Sequence, residues 1–162
     1  MARPYREPRP PHPGFFQKPK LEKRPPLRLA AAAKAADPYK DGRLRIFLDD
    51  DRACPPGWTL VKCVADFEDL LAACPPANLA GVALDWYLGH AVAGDGHEAA
   101  AALIRHIEAA PAEFTALEAV YCHSSVPEEA AKMARAIAAA ILRNEDMPDI
   151  DVRVGSIPQR RS

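Results

Sequence analysis

The chain has 162 residues, 21 Lys or Arg against 22 Asp or Glu, a formal net charge of −1, and 49% hydrophobic residues. That length suits one ordinary domain with a real core and falls short of two of typical size. A membrane span is excluded for the Ala-rich stretch Leu29 to Ala36, which is far shorter than the roughly 20 apolar residues required and is interrupted by Lys34. Cys54, Cys63, Cys74 and Cys122 form no CxxC pair and have no histidine at zinc-finger spacing. With no apolar signal peptide, they are expected to be reduced thiols of a cytoplasmic protein.

The charge is unevenly placed. Residues 1 to 28 hold eight Lys or Arg against Glu7 and Glu22, so this segment carries +6 and the rest −7. Eight prolines in the same stretch remove backbone donors and favour extended conformations. Residues 1–42 are therefore expected to be an extended or disordered basic arm. Leu27 to Ala36 is able to form a short helix there, stopped by Asp37-Pro38. Such an arm suits a nucleic acid through phosphate contacts, a protein partner that recognises extended proline-rich segments, or no fixed partner.

From Arg43 the patterning becomes regular, and residues 43–155 are expected to be one domain with a C-terminal tail over 156–162. Arg43 to Leu48 predicts a strand, and Thr59 to Cys63 a second after the Pro55 to Trp58 turn. Val64, Phe67, Leu70 and Leu71 give Val64 to Ala73 helical spacing. Gly81 to Leu84 predicts a buried strand, His97 to Glu108 a helix, and Ala119 to Cys122 another strand. Pro127 to Leu142 predicts a helix, with proline in its first turn, Ser125 as cap and Glu128 and Glu129 at the positive end of its dipole. Asp149 to Val154 alternates as a last strand. Strands separated by such helices imply an α/β domain, a parallel sheet flanked by helices in a flavodoxin-like or receiver-like arrangement.

Three strand endings carry candidate chemistry. LRIFLDDDR, Leu44 to Arg52, ends an apolar run in three aspartates and an arginine; AGVALDWYLG, Ala80 to Gly89, places Asp85 after its strand; LEAVYCHSS, Leu117 to Ser125, ends in His123 and two serines. In an open parallel sheet, ligands bind outside the carboxyl ends of the strands, so the three endings can converge on one crevice. Asp49, Asp50 and Asp85 suit one hard cation, expected to be Mg²⁺, although aspartates after a strand also serve as turn and cap residues. Arg52 offers a planar fork to phosphate or, equally, a salt bridge to its neighbouring aspartates. Lys62 is a further anion contact or a solvated strand-end lysine. His123 is placed to give or take a proton, and Ser124 to donate to a phosphoryl oxygen beside the amino end of the next helix. His90 and His97 lie in or beside the loop after Asp85, while His106 falls within a helix. Trp86 and Tyr87 either stack on a base or fill space, with packing favoured for Trp86.

The motifs LDDDR at 48–52, PPGW at 55–58, VKCV at 61–64, LDWYLG at 84–89 and HSSVPEEAAKM at 123–133 together resemble the cyclic-phosphate-processing receiver-like domain, a divergent branch of the response-regulator receivers. The resemblance covers roughly residues 43 to 143. It implies a metal-dependent domain that binds, and hydrolyses, a phosphate ester such as a cyclic phosphate of a nucleotide or an RNA end. Asp49, Asp50 and Asp85 would hold the metal, Arg52, Ser124 and Lys62 the phosphate, and His123 with Asp85 would be catalytic. The chain departs from the pattern at Trp86 and Tyr87, which replace the His and Asp of LDHDLG. It departs again at Val126, which replaces the Asn of HSxNP, and in lacking an evident receiver lysine. The alternative is a non-catalytic pseudo-receiver that recruits a partner through its N-terminal arm.

Overall fold

The computed structural model describes residues 42–89 and 93–158. The basic arm up to residue 41, its expected helix, His90 and the last four residues lie outside them.

The elements are β1 (Leu44–Leu48), β2 (Thr59–Val61), α1 (Val64–Ala73), β3 (Leu79–Asp85), α2 (Gly96–Ala109), β4 (Ala119–His123), α3 (Pro127–Arg143) and β5 (Asp151–Val154). All strand pairings are parallel, in the order β2-β1-β3-β4-β5. This is the receiver-like α/β fold expected from alternating strands and helices. β2 stops at Val61, two residues earlier than its pattern suggested, because Cys63 is already the extended N-cap position of α1. β3 extends beyond Gly81 to Leu84 at both ends, and all seven of its residues are buried, as a central strand of a parallel sheet requires.

The helices share one face of the sheet. Leu44, Ile46, Leu48, Val82, Leu84, Val120 and Cys122 join Phe67 of α1, Leu103 and Ile107 of α2, and Met133 and Ile137 of α3 in a single core. α1 packs on α2, and α2 on α3. Asp95 caps α2, its carboxylate accepting from the His97 and Glu98 amides. At α3 the N-cap is Val126, not Ser125; Ser124 Oγ accepts the Val126 amide at 2.9 Å instead. The hydroxyl one residue earlier reaches the free amide first, so Ser125 stays exposed.

The alternate side chains point to the other face. Strand register places Arg45 and Gly81 in one row, and Phe47, Ala83, Tyr121 and Arg153 in the next. The β1–β2 connection contains no helix, and its PPGW turn lays Trp58 across this face. A Cβ on Gly81 would sit 3.0 Å from the indole, and Trp58 meets Tyr121 edge-on at 6.2 Å between centroids. Gly81 is thus the floor on which the turn rests.

Candidate functional site

β1 and β3 are neighbours although β2 lies between them in sequence, so strand order reverses beside them, and a crevice opens at their carboxyl ends. Asp49 follows β1, while Asp85 and His123 end β3 and β4 and stand opposite one another in register. Chain direction alone therefore delivers two carboxylates and an imidazole to one edge. All three residues are buried, Asp49 completely. One ligand atom from each lies within 4.8 Å of the others, a spacing able to hold a metal ion.

Asp49 is fixed from below. Its Oδ1 accepts the Asp51 and Arg52 amides at 2.9 and 2.7 Å, and its Oδ2 takes Arg52 Nη1 at 3.0 Å. Burial alone would raise its pKa; the two amides and the guanidinium outweigh that and hold it below the usual carboxylate value. Asp85 moves the opposite way. Burial and the neighbouring Asp49 charge raise it, opposed by Arg52, and its Oδ1 has no hydrogen-bond partner.

His123 stacks on Phe47 with centroids 5.5 Å apart. Its Nδ1 faces Arg52 Nη1 at 2.9 Å, Asp49 Oδ2 at 3.7 Å and Asp85 Oδ1 at 3.8 Å, while its buried Nε2 has no partner. Burial, aided by the arginine charge and only partly offset by Asp49, pushes its pKa down to about 4. The ring is neutral near pH 7. Since arginine only donates, the proton sits on Nε2 and Nδ1 presents a lone pair to the crevice.

Arg52 Nη1 also reaches Asp85 Oδ2 at 3.4 Å, so one guanidinium nitrogen meets all three buried residues. The Arg52 side chain is nonetheless 42% exposed and borders a cavity of about 220 Å³ with Phe47, Ala53, Pro55, His123, Ser156 and Ile157. That cavity lies toward the helix-free face.

The other expected site residues are not members of that three-residue cluster. Asp50 directs its carboxylate against Gly89, whose φ of +70° and lack of a Cβ make room for it. Asp51 and Lys62 are exposed. Ser124 is half-buried, with its oxygen engaged by the Val126 amide. His97 Nε2 is bonded to Glu129 at 2.7 Å, tying α2 to α3, and His106 Nδ1 meets the Ala102 carbonyl. Trp86 packs against the core, whereas Tyr87 is 59% exposed. Sequence reasoning missed Gly96. A Cβ there would strike the Asp85 carbonyl, Met133 Sδ and Trp86 Cα, so this glycine lets α2 start directly behind Asp85. Its place in the AGDGHE stretch, next to the capping Asp95, was the available signal.

A family model described as cyclic-phosphate processing receiver domain matches residues 44–139. The chain belongs to that family. No curated protein and no solved structure matches it. The match takes in all three residues of the cluster together with Arg52. As a receiver of the cyclic-phosphate processing family, the domain carries its Asp-Asp-His cluster at the strand-end crevice of the fold. Among the described residues no helix is long and apolar enough to cross a membrane.

Proposed function

We propose that this receiver binds a phosphate ester with the help of a divalent cation and opens cyclic phosphates of nucleotides or RNA ends. The observation that carries this reading is the convergence of Asp49, Asp85 and His123 on one point already favourable to positive charge, with Asp85 Oδ1 buried and unpartnered there. Two buried carboxylates this close repel unless a cation lies between them.

Asp49, Asp85 and His123 Nδ1 would hold the ion. An imidazole beside two carboxylates suits Mn²⁺ or Zn²⁺ as well as the Mg²⁺ expected from an all-aspartate set. When bound, such an ion would offset phosphate charge and polarise a phosphoryl oxygen. The chain's own residues do the rest. Arg52 supplies a charged donor fork at the mouth of the crevice, and the Ser124 hydroxyl keeps its hydrogen free to donate while its oxygen accepts the Val126 amide. The neutral His123 accepts at Nδ1 as a ligand or base and has no proton to give there. Asp49, anchored by two amides, keeps the geometry fixed while ligands exchange.

The test is titration of the protein with a nucleoside 2′,3′-cyclic phosphate, with and without Mg²⁺ or Mn²⁺, followed by chromatography for the opened monophosphate. Metal-dependent product lost in Asp85→Asn supports the reading. Absence of both binding and product with all of these ions refutes it.

A second reading, a non-catalytic interaction module recruiting its partner through the N-terminal arm, is favoured by one observation. Trp86, where the family pattern has a histidine, packs against the core and brings no imidazole to the crevice. Deleting residues 1–28 would then abolish partner capture and leave phosphate binding unchanged.

A further inference from the structure

Arg52 Nη1 stands 3.0 Å from Asp49 Oδ2, 3.4 Å from Asp85 Oδ2 and 2.9 Å from His123 Nδ1. A divalent ion bonds such atoms at about 2.0–2.6 Å. It would overlap the same nitrogen, like charge against like charge, so guanidinium and ion cannot share the site.

We propose that Arg52 is a built-in stand-in for the cation: it neutralises the buried carboxylates before an ion binds, and ion entry expels its guanidinium toward the neighbouring cavity, where it captures the phosphate ligand. This rests on the cation-and-phosphate reading above and adds how the site is regulated.

Three features make the exchange feasible. The Arg52 side chain is 42% exposed and already borders the cavity of about 220 Å³, so the guanidinium has both a path and a destination. Asp49 keeps its orientation without the guanidinium, because its Oδ1 is held by the Asp51 and Arg52 amides. Asp85 Oδ1 lacks a hydrogen-bond partner while the arginine is in place. One nitrogen therefore leaves the cluster under-satisfied, and an ion with several coordination positions can improve on it.

The consequence is coupling. An ion arriving alone must break the arginine's contacts. An ion arriving with phosphate recovers that cost, because the expelled guanidinium gains a bidentate partner. By linkage each ligand then raises the affinity of the other by the same factor.

The experiment is Mn²⁺ titration of the full chain, read from the electron paramagnetic resonance of free Mn²⁺, with and without inorganic phosphate. Wild type, Arg52→Ala, Arg52→Gln and Asp85→Asn are compared; the glutamine variant keeps most of the side-chain length should the alanine variant fail to fold. Without phosphate, Arg52→Ala and Arg52→Gln are expected to bind Mn²⁺ on the order of tenfold more tightly than wild type, and phosphate is expected to tighten wild type by a larger factor than either variant. If both variants bind Mn²⁺ no better than wild type while Asp85→Asn loses it, the stand-in role is overturned and the metal site survives. If no protein binds Mn²⁺, both fall.

Discussion

Protonation of His123 offers a direct test of the buried cluster. The ring is 4% exposed, its Nδ1 accepts from Arg52 at 2.9 Å, and its pKa lies at about 4 against 6.5 for an ordinary histidine. Charging it would place an imidazolium against a guanidinium, with Asp49 and Asp85 each more than 3.5 Å away. Because the folded pKa is depressed, the unfolded chain binds the proton first. The stability held by neutral His123 is therefore complete above pH 6.5 and is lost as pH falls toward 4. Between about pH 7.5 and pH 5 this linkage removes about 2 kcal/mol. With a urea slope of about 1–2 kcal/mol/M for a domain of this size, the midpoint falls by roughly 1–2 M. The assay is urea denaturation in chelator at both pH values for wild type and His123→Asn, whose side-chain amide keeps an acceptor for Arg52 without titrating. Asp85, raised rather than lowered, gains stability on acidification in both proteins and cancels to first order in the comparison. Equal acid sensitivity of the two proteins would refute the burial and arginine contact assigned to His123.

Other perturbations separate the site from its scaffold. Gly96→Ala drives a methyl into the Asp85 carbonyl and Trp86 Cα, and should cost about 1–3 kcal/mol or lower Tm by roughly 5–20 °C, measured by calorimetry. Asp49→Ala removes the acceptor of two amides and one guanidinium from a fully buried position, for an expected loss of about 3 kcal/mol in chemical denaturation. By contrast, Glu68→Ala breaks the surface pair with Arg105 and should shift stability by less than about 0.5 kcal/mol in the same assay. Cys63 and Cys122 are buried, and burial pushes the Cys122 thiol up to about 12. Native protein exposed to a thiol reagent should therefore label Cys54 and Cys74 well before these two, as peptide mass spectrometry would show.

Much of this domain was legible in its sequence, because strand and helix periods and strand-end aspartates are local signals. Val64 to Ala73 forms the helix its spacing predicts, with the expected four residues buried. Asp85 and His123 end strands as their apolar runs imply, and parallel pairing then sets them opposite one another. The family, too, could be read from the order of short motifs. What the sequence could not decide is which of three adjacent aspartates turns inward. Only the two amides folding back onto Asp49 Oδ1 make it the buried one, while Asp50 is diverted to the space left by Gly89 and Asp51 faces solvent. Nor could local pattern show that Arg52 reaches three residues at once, since Asp85 and His123 are 33 and 71 positions away and meet it only through strand order. The placement of all three helices on one face, with Trp58 over Gly81 on the other, likewise belongs to tertiary structure. Periodicity shows that a face is apolar, but the other elements determine what covers it.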